Sequence, residues 1–115
     1  MTSTKKGPTT ALDDDSITAR LSTTPAWERR QEQLYRAFIF DDFSAAFSFM
    51  SQVAALAERT DHHPTWSNQY NRVEIYLSTH SCNSISEKDF LLAKAIDDLL
   101  WGETNEEKDK GRRGI

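Results

Sequence analysis

Residues 71–79, NRVEIYLST, alternate in polarity. Val73, Ile75 and Leu77 fall on one side of an extended chain, and Arg72, Glu74 and Tyr76 on the other. A period of two with one apolar side marks an antiparallel strand buried on one face. The cover for that face is upstream, in DDFSAAFSFMSQVAALAE (41–58). There Phe43, Ala46, Phe47, Met50, Val53, Ala54 and Ala57 recur at helical spacing, behind Asp41 and Asp42, which suit an N-cap. The pattern predicts a helix over 42–60 that stops before Pro64, whose ring disfavours α geometry at His63.

The flanks read by the same rules. LYRAFIF (34–40) is aromatic and β-branched, and with 27–31 it reads as a hairpin that starts at Trp27. Residues 64–69 are placed to pair with 71–79. Asp13, Asp14 and Asp15 precede Ile17, Ala19 and Leu21, which predicts a short helix over 13–22 with acids at its positive end. Ser86 with Glu87 and Asp89 makes a helix start. Leu92, Ala95, Ile96 and Leu99 then give an apolar stripe to Trp101, with Gly102 as its stop. The order is α-β-β-α-β-β-α, and helices packed on one face of an antiparallel sheet are the economical solution. Such a sheet keeps a free edge and an open face, which favours self-association.

The chain has 115 residues, one domain's worth. Residues 1–10 read as a disordered arm, 11–101 as the domain and 102–115 as a polar, disordered tail. The arm holds two lysines and the tail four acids and four bases, so of the chain's 14 bases and 18 acids the domain keeps 8 and 14, a net of −6. An acidic body lacks the footprint for direct nucleic-acid binding and carries no polybasic patch for a membrane. No apolar run nears the roughly 20 residues that span a bilayer. MTSTKKGPTT has no apolar stretch of the kind a secretory signal needs. The single cysteine, Cys82, fits a reducing compartment, so the expected location is the cytoplasm, with the nucleus as the alternative.

The chemistry concentrates in the histidines. His62 and His63 stand where the long helix ends, and His80 where the alternating strand ends. Element ends are where functional groups are displayed. Glu58, Asp61, Trp66, Tyr70, Thr79 and Cys82 stand nearby in sequence. A zinc site from His62, His63, His80 and Cys82 is weakened by its spacing, since adjacent histidines rarely reach one ion and Cys82 has no second cysteine. Acid–base catalysis without a metal fits better, because imidazole titrates near neutrality and serves as acid or base at one pH. Two imidazoles on opposite ends of a substrate bond suit a dehydration: one protonates a leaving hydroxyl while the other takes a second proton. No nucleophile elbow, phosphate-cradling glycine loop or dinucleotide fingerprint is present in a chain with four glycines.

The spaced set Glu58, His62-His63-Pro64, Tyr70, His80 and Asp89 resembles the signature of the pterin-4a-carbinolamine dehydratases. Around it, 41–58 is similar to that family's long helix, HHPTWSNQYNRVEIYLSTH (62–80) to its active-site strands, and SISEKD (84–89) to the start of its last helix. Asn83-Ser84 stand where family members often carry glycine, and Thr65 where a glutamate is common. The resemblance implies an α+β fold, a four-stranded antiparallel sheet with three helices packed on one face. It implies conversion of 4a-hydroxytetrahydropterin to quinonoid dihydropterin and water, recycling tetrahydrobiopterin for aromatic amino acid hydroxylases, with no metal and no cofactor. Carried over by position, it implies catalysis by His62, His63 and His80, with substrate contacts from these three and from Glu58, Asp61, Ser78, Thr79 and Ser81. Its implied partners are further copies of the chain, as homodimer or homotetramer, and a transcription factor or hydroxylase. The competing reading is a non-catalytic interaction module, a transcriptional coactivator of the same fold.

Overall fold

The computed structural model describes the backbone of residues 10–110 and the side chains of residues 10–100. In chain order come α1 (Asp14–Leu21), β1 (Glu28–Arg30), β2 (Gln33–Ile39), α2 (Phe43–Thr60), β3 (Thr65–Gln69), β4 (Arg72–Leu77), a 3-10 turn (His80–Cys82) and α3 (Glu87–Lys110). The four strands form one antiparallel sheet in the order β1-β2-β4-β3. The class is α+β, with the three helices gathered on one face of the sheet. The expected arm, apart from Thr10, and positions 111–115 of the expected tail lie outside the described residues.

The alternation in β4 is realised as read: Val73, Ile75 and Leu77 are fully buried. The register sets Leu34 of β2 opposite Leu77, and Phe38 opposite Val73. Onto this surface α1 brings Ile17, α2 brings Phe49, Val53 and Leu56, and α3 brings Phe90, Leu92, Ala93 and Ile96, in one continuous core. Trp66 of β3 packs against its edge. Asp42 caps α2 by accepting from the Ala45 amide at 2.9 Å, and Asp13 caps α1 by accepting from the Ser16 amide at 2.8 Å. A half-buried ion pair ties the hairpin to α3: Asp97 accepts from Arg36 at 2.6 Å and from the Trp27 indole N–H at 2.8 Å.

Two features differ from the expectation. The last helix does not stop at Gly102 but continues to Lys110. An interior glycine costs only about 1 kcal/mol relative to alanine, and the glutamates and lysines that follow are good helix formers. Strand β4 also ends at Leu77 rather than Thr79, and the chain turns at once into the short helix that begins at His80.

The opposite face of the sheet is polar and aromatic. Tyr35 donates to Glu74 at 2.7 Å, Arg72 reaches the same carboxylate at 3.1 Å, and the Arg30 guanidinium lies 3.6 Å over the Tyr35 ring. The hydrogen bond from Tyr35, then that from Arg72, hold the Glu74 carboxyl below its ordinary value of 4.5. The same bond to Glu74, with burial second, pushes the Tyr35 phenol above its ordinary value of 10.0.

Ile75→Ala should lower the unfolding free energy by about 2–5 kcal/mol, whereas Lys94→Ala, on the exposed side of α3, should stay within about 0.5 kcal/mol; urea titrations compare them. The Glu74 carboxyl is depressed in the fold, so its contribution is present above pH 4.5 and lost as pH falls through the folded value. The Tyr35 contribution is present below pH 10.0 and lost as pH rises through the folded value. Stability measured against pH should therefore lose its acid-side component in Glu74→Gln and its alkaline component in Tyr35→Phe.

Candidate active site

The C-terminus of α2 is built to turn sharply. Asp61 adopts left-handed geometry at φ 54°, the His62 amide donates to the Ala57 carbonyl at 3.1 Å, and the Asp61 amide donates to the Glu58 carbonyl at 3.3 Å. This is the helix-ending motif that glycine usually supplies; aspartate is among the few other residues that occasionally adopt the conformation. Pro64 then directs the chain into β3. The effect is to place His62 and His63 just beyond a helix end with unequal burial: the His62 side chain is 11 % exposed, that of His63 54 %.

A second tight turn carries His80. Thr79 and Ser84 bridge back to each other, with the Thr79 amide donating to the Ser84 carbonyl at 2.8 Å. The chain between them rises as the 3-10 turn and closes at Asn83, left-handed at φ 52°. Asparagine meets the geometric demand at the position where glycine is common in the resembling family. His80, at the head of this turn, is exposed.

The two turns meet. Asp61, His62, His63, Pro64, Thr65, Ser78 and His80 line one cavity of about 380 Å³, within the size range of small-molecule sites. On the side of His62 toward α3, a smaller, mostly apolar cavity of about 160 Å³ is lined by Thr60, His62, Lys88, Leu91 and Leu92. Glu58 is not a lining residue; its carboxylate holds the His63 Nε2 at 2.8 Å on the exposed rim. Thr79 is buried, its hydroxyl turned toward Ser86 and Asp89 rather than the cavity. Ser81 lies within the 3-10 turn and is not among the lining residues. Among the described residues no group of three or more His, Cys, Asp or Glu side chains is placed to hold a metal ion. Cys82 directs its thiol at the Thr79 and Ser84 carbonyls.

The residue that sequence reasoning left out of the site is Asp89. It was legible as the acid of the helix start, and it does serve there: the Ser86 amide donates to its Oδ2 at 2.9 Å. Yet Asp89 is fully buried, its Oδ1 lies 2.6 Å from the His62 Nε2, and the Thr79 hydroxyl donates to Oδ2 at 2.7 Å. One carboxylate thus joins the start of α3, the end of β4 and the turn after α2. The only sequence signal for this was its position in the spaced set.

The profile of the family described as pterin 4 alpha carbinolamine dehydratase matches residues 10–99. A protein of Rhodospirillum rubrum, provisionally named pterin-4-alpha-carbinolamine dehydratase, is 50 % identical over 94 residues, covering 80 % of this chain and 98 % of its own. A Novosphingobium aromaticivorans protein with the same provisional name is 45 % identical over 91 residues, covering 77 % and 95 %. Among solved structures, a Brucella melitensis protein described as transcriptional coactivator/pterin dehydratase superimposes with a TM-score of 0.75 at 40 % identity, over 77 % of this chain and 97 % of that one.

The burial difference between the adjacent histidines sets a contrast in stability. His62→Ala strands a buried carboxylate and should cost about 1–3 kcal/mol or more. His63→Ala removes only an exposed pair and should cost about 0–1 kcal/mol. Chemical denaturation of the two variants measures both.

Proposed function

The chain belongs to the pterin 4 alpha carbinolamine dehydratase family, and from that premise we propose that it dehydrates 4a-hydroxytetrahydropterin to quinonoid dihydropterin by histidine acid–base catalysis. The observation that carries this reading is the shared cavity: His62 and His63 from one chain turn and His80 from another line the same space. Dehydration across C4a and N5 needs two proton movements. One imidazole takes the N5 proton while the other protonates the 4a hydroxyl. The C–O bond breaks, a C4a=N5 double bond forms, and water leaves. His62 and His80 are the acid–base pair in this reading. His63, held at the rim by Glu58, binds and polarises the pterin, and Asp61 and Ser78 supply hydrogen bonds to the ring. No metal or cofactor takes part. The product returns to the tetrahydropterin pool used by aromatic amino acid hydroxylases, in the cytoplasm.

A second, compatible role is protein interaction. The solved relative from Brucella melitensis is described as a transcriptional coactivator as well as a dehydratase. In this chain Ile39, Phe43 and Phe47 are 63 %, 47 % and 53 % exposed, and the two phenylalanine rings stack at 5.7 Å. Such a patch supports homodimer or homotetramer formation and contact with a protein partner, in line with an acidic body unsuited to nucleic acid.

Decay of the 4a-carbinolamine, followed with and without protein in the presence of a chelator, tests the main reading. The chain should accelerate decay and resist the chelator. Folded His62→Ala and His80→Ala should each lose about 10²-fold or more in turnover; wild-type rates in both would overturn the assignment.

A further inference from the structure

Asp89 does more than a helix start requires. A capping acid needs one oxygen for the amide of the residue just before the helix, and Asp89 Oδ2 accepts from the Ser86 N–H. Its other oxygen is committed to the ring of His62, 27 positions earlier, at 2.6 Å. Among the described residues it is the only carboxylate that is fully buried, and a buried charge is retained only where several donors satisfy it.

Those donors fix the direction of every hydrogen around it. A carboxylate accepts and has no proton to give. The Thr79 hydroxyl therefore donates to Oδ2, at 2.7 Å. Ser86 Oγ lies 2.6 Å from the Thr79 oxygen whose hydrogen is already committed, so Ser86 must be the donor in that bond. Ser86 Oγ in turn accepts from the Lys88 amide at 3.2 Å. By the same logic the hydrogen between His62 and Asp89 resides on Nε2. The neutral ring is then held with Nε2 protonated and a lone pair on Nδ1.

We propose that Asp89 is a positioning residue for the acid–base site: it locks His62 in the Nε2–H tautomer, leaves Nδ1 as the nitrogen that exchanges a proton with substrate, and through Thr79 anchors the strand end that carries His80. A carboxylate that orients an imidazole in this way does its work without touching the reacting atoms. The catalytic part of this inference rests on the dehydratase reading above; the tautomer part does not.

The test is a two-bond proton–nitrogen correlation spectrum of the histidine rings in the full ¹⁵N-labelled chain at neutral pH, together with carbinolamine kinetics. Wild type should show neutral His62 as the Nε2–H form. Asp89→Asn retains a carbonyl oxygen for the Ser86 amide, and it should lose that single tautomer and about tenfold or more in kcat, with KM changed less than about twofold. Asp89→Glu, which restores the charge, should recover part of the kcat. A solely structural Asp89 would lower the melting temperature while the His62 spectrum and kcat of the folded Asn variant stayed as in wild type, and that result overturns the proposal. If Asp89→Asn does not fold, the wild-type spectrum decides alone: an Nδ1–H form overturns the proposal. If the wild-type chain has no dehydratase activity, the reaction assignment falls by itself, while loss of the Nε2–H form in Asp89→Asn still establishes the lock.

Discussion

One buried carboxylate holds three separate pieces of chain to a common point. Asp89 reaches the amide that opens α3, the hydroxyl at the end of β4 and the ring at the end of α2. A charge in an apolar interior is tolerated only when its partners are all present, so the three segments are constrained together. The apolar core brings α2 and α3 onto the sheet but is indifferent to small displacements of their ends. The carboxylate is directional, and it sets where those ends lie. Because two of the ends carry histidines, the structural requirement and the proposed functional one fall on the same atoms.

The sheet divides the molecule into two kinds of chemistry. On one face, Val73, Ile75 and Leu77 and their partners on β2 are sealed by three helices. On the other, Tyr35, Glu74 and Arg72 form a hydrogen-bonded network beneath Arg30. The cavity belongs to neither face. It lies where the chain leaves α2 and β4, lined by Asp61, His62, His63, Pro64, Ser78 and His80 outside the strands and by Thr65 at the start of β3. The layers form the packed body, and the candidate chemistry is displayed at the corners.

The architecture was legible because its signals are local and periodic. The alternation of Val73, Ile75 and Leu77 and the helical spacing from Phe43 to Ala57 each admit one reading, and Asp42 marks a boundary by a side-chain bond to its own helix. Gly102 was ambiguous, since glycine ends a helix only when the chain turns left-handed there, and here the helix continues. The turn from His80 to Asn83 has no periodicity to read; only the tolerance of asparagine for left-handed geometry pointed to it. Histidines at element ends were visible as candidates, whereas their convergence required the fold. Asp89 illustrates the harder limit. Its neighbours in sequence explain it completely as a capping residue, and nothing nearby announces a partner 27 positions away.

The turn that presents His80 is closed at its base by reciprocal backbone bonds between Thr79 and Ser84 and stopped by a left-handed Asn83. The imidazole is exposed, yet the peptide units beneath it have few torsions left to explore. On the proposed reading, an incoming bicyclic ligand would meet an exposed side chain on a hydrogen-bonded turn, so the ordering entropy surrendered on binding would fall on one side chain more than on a whole loop.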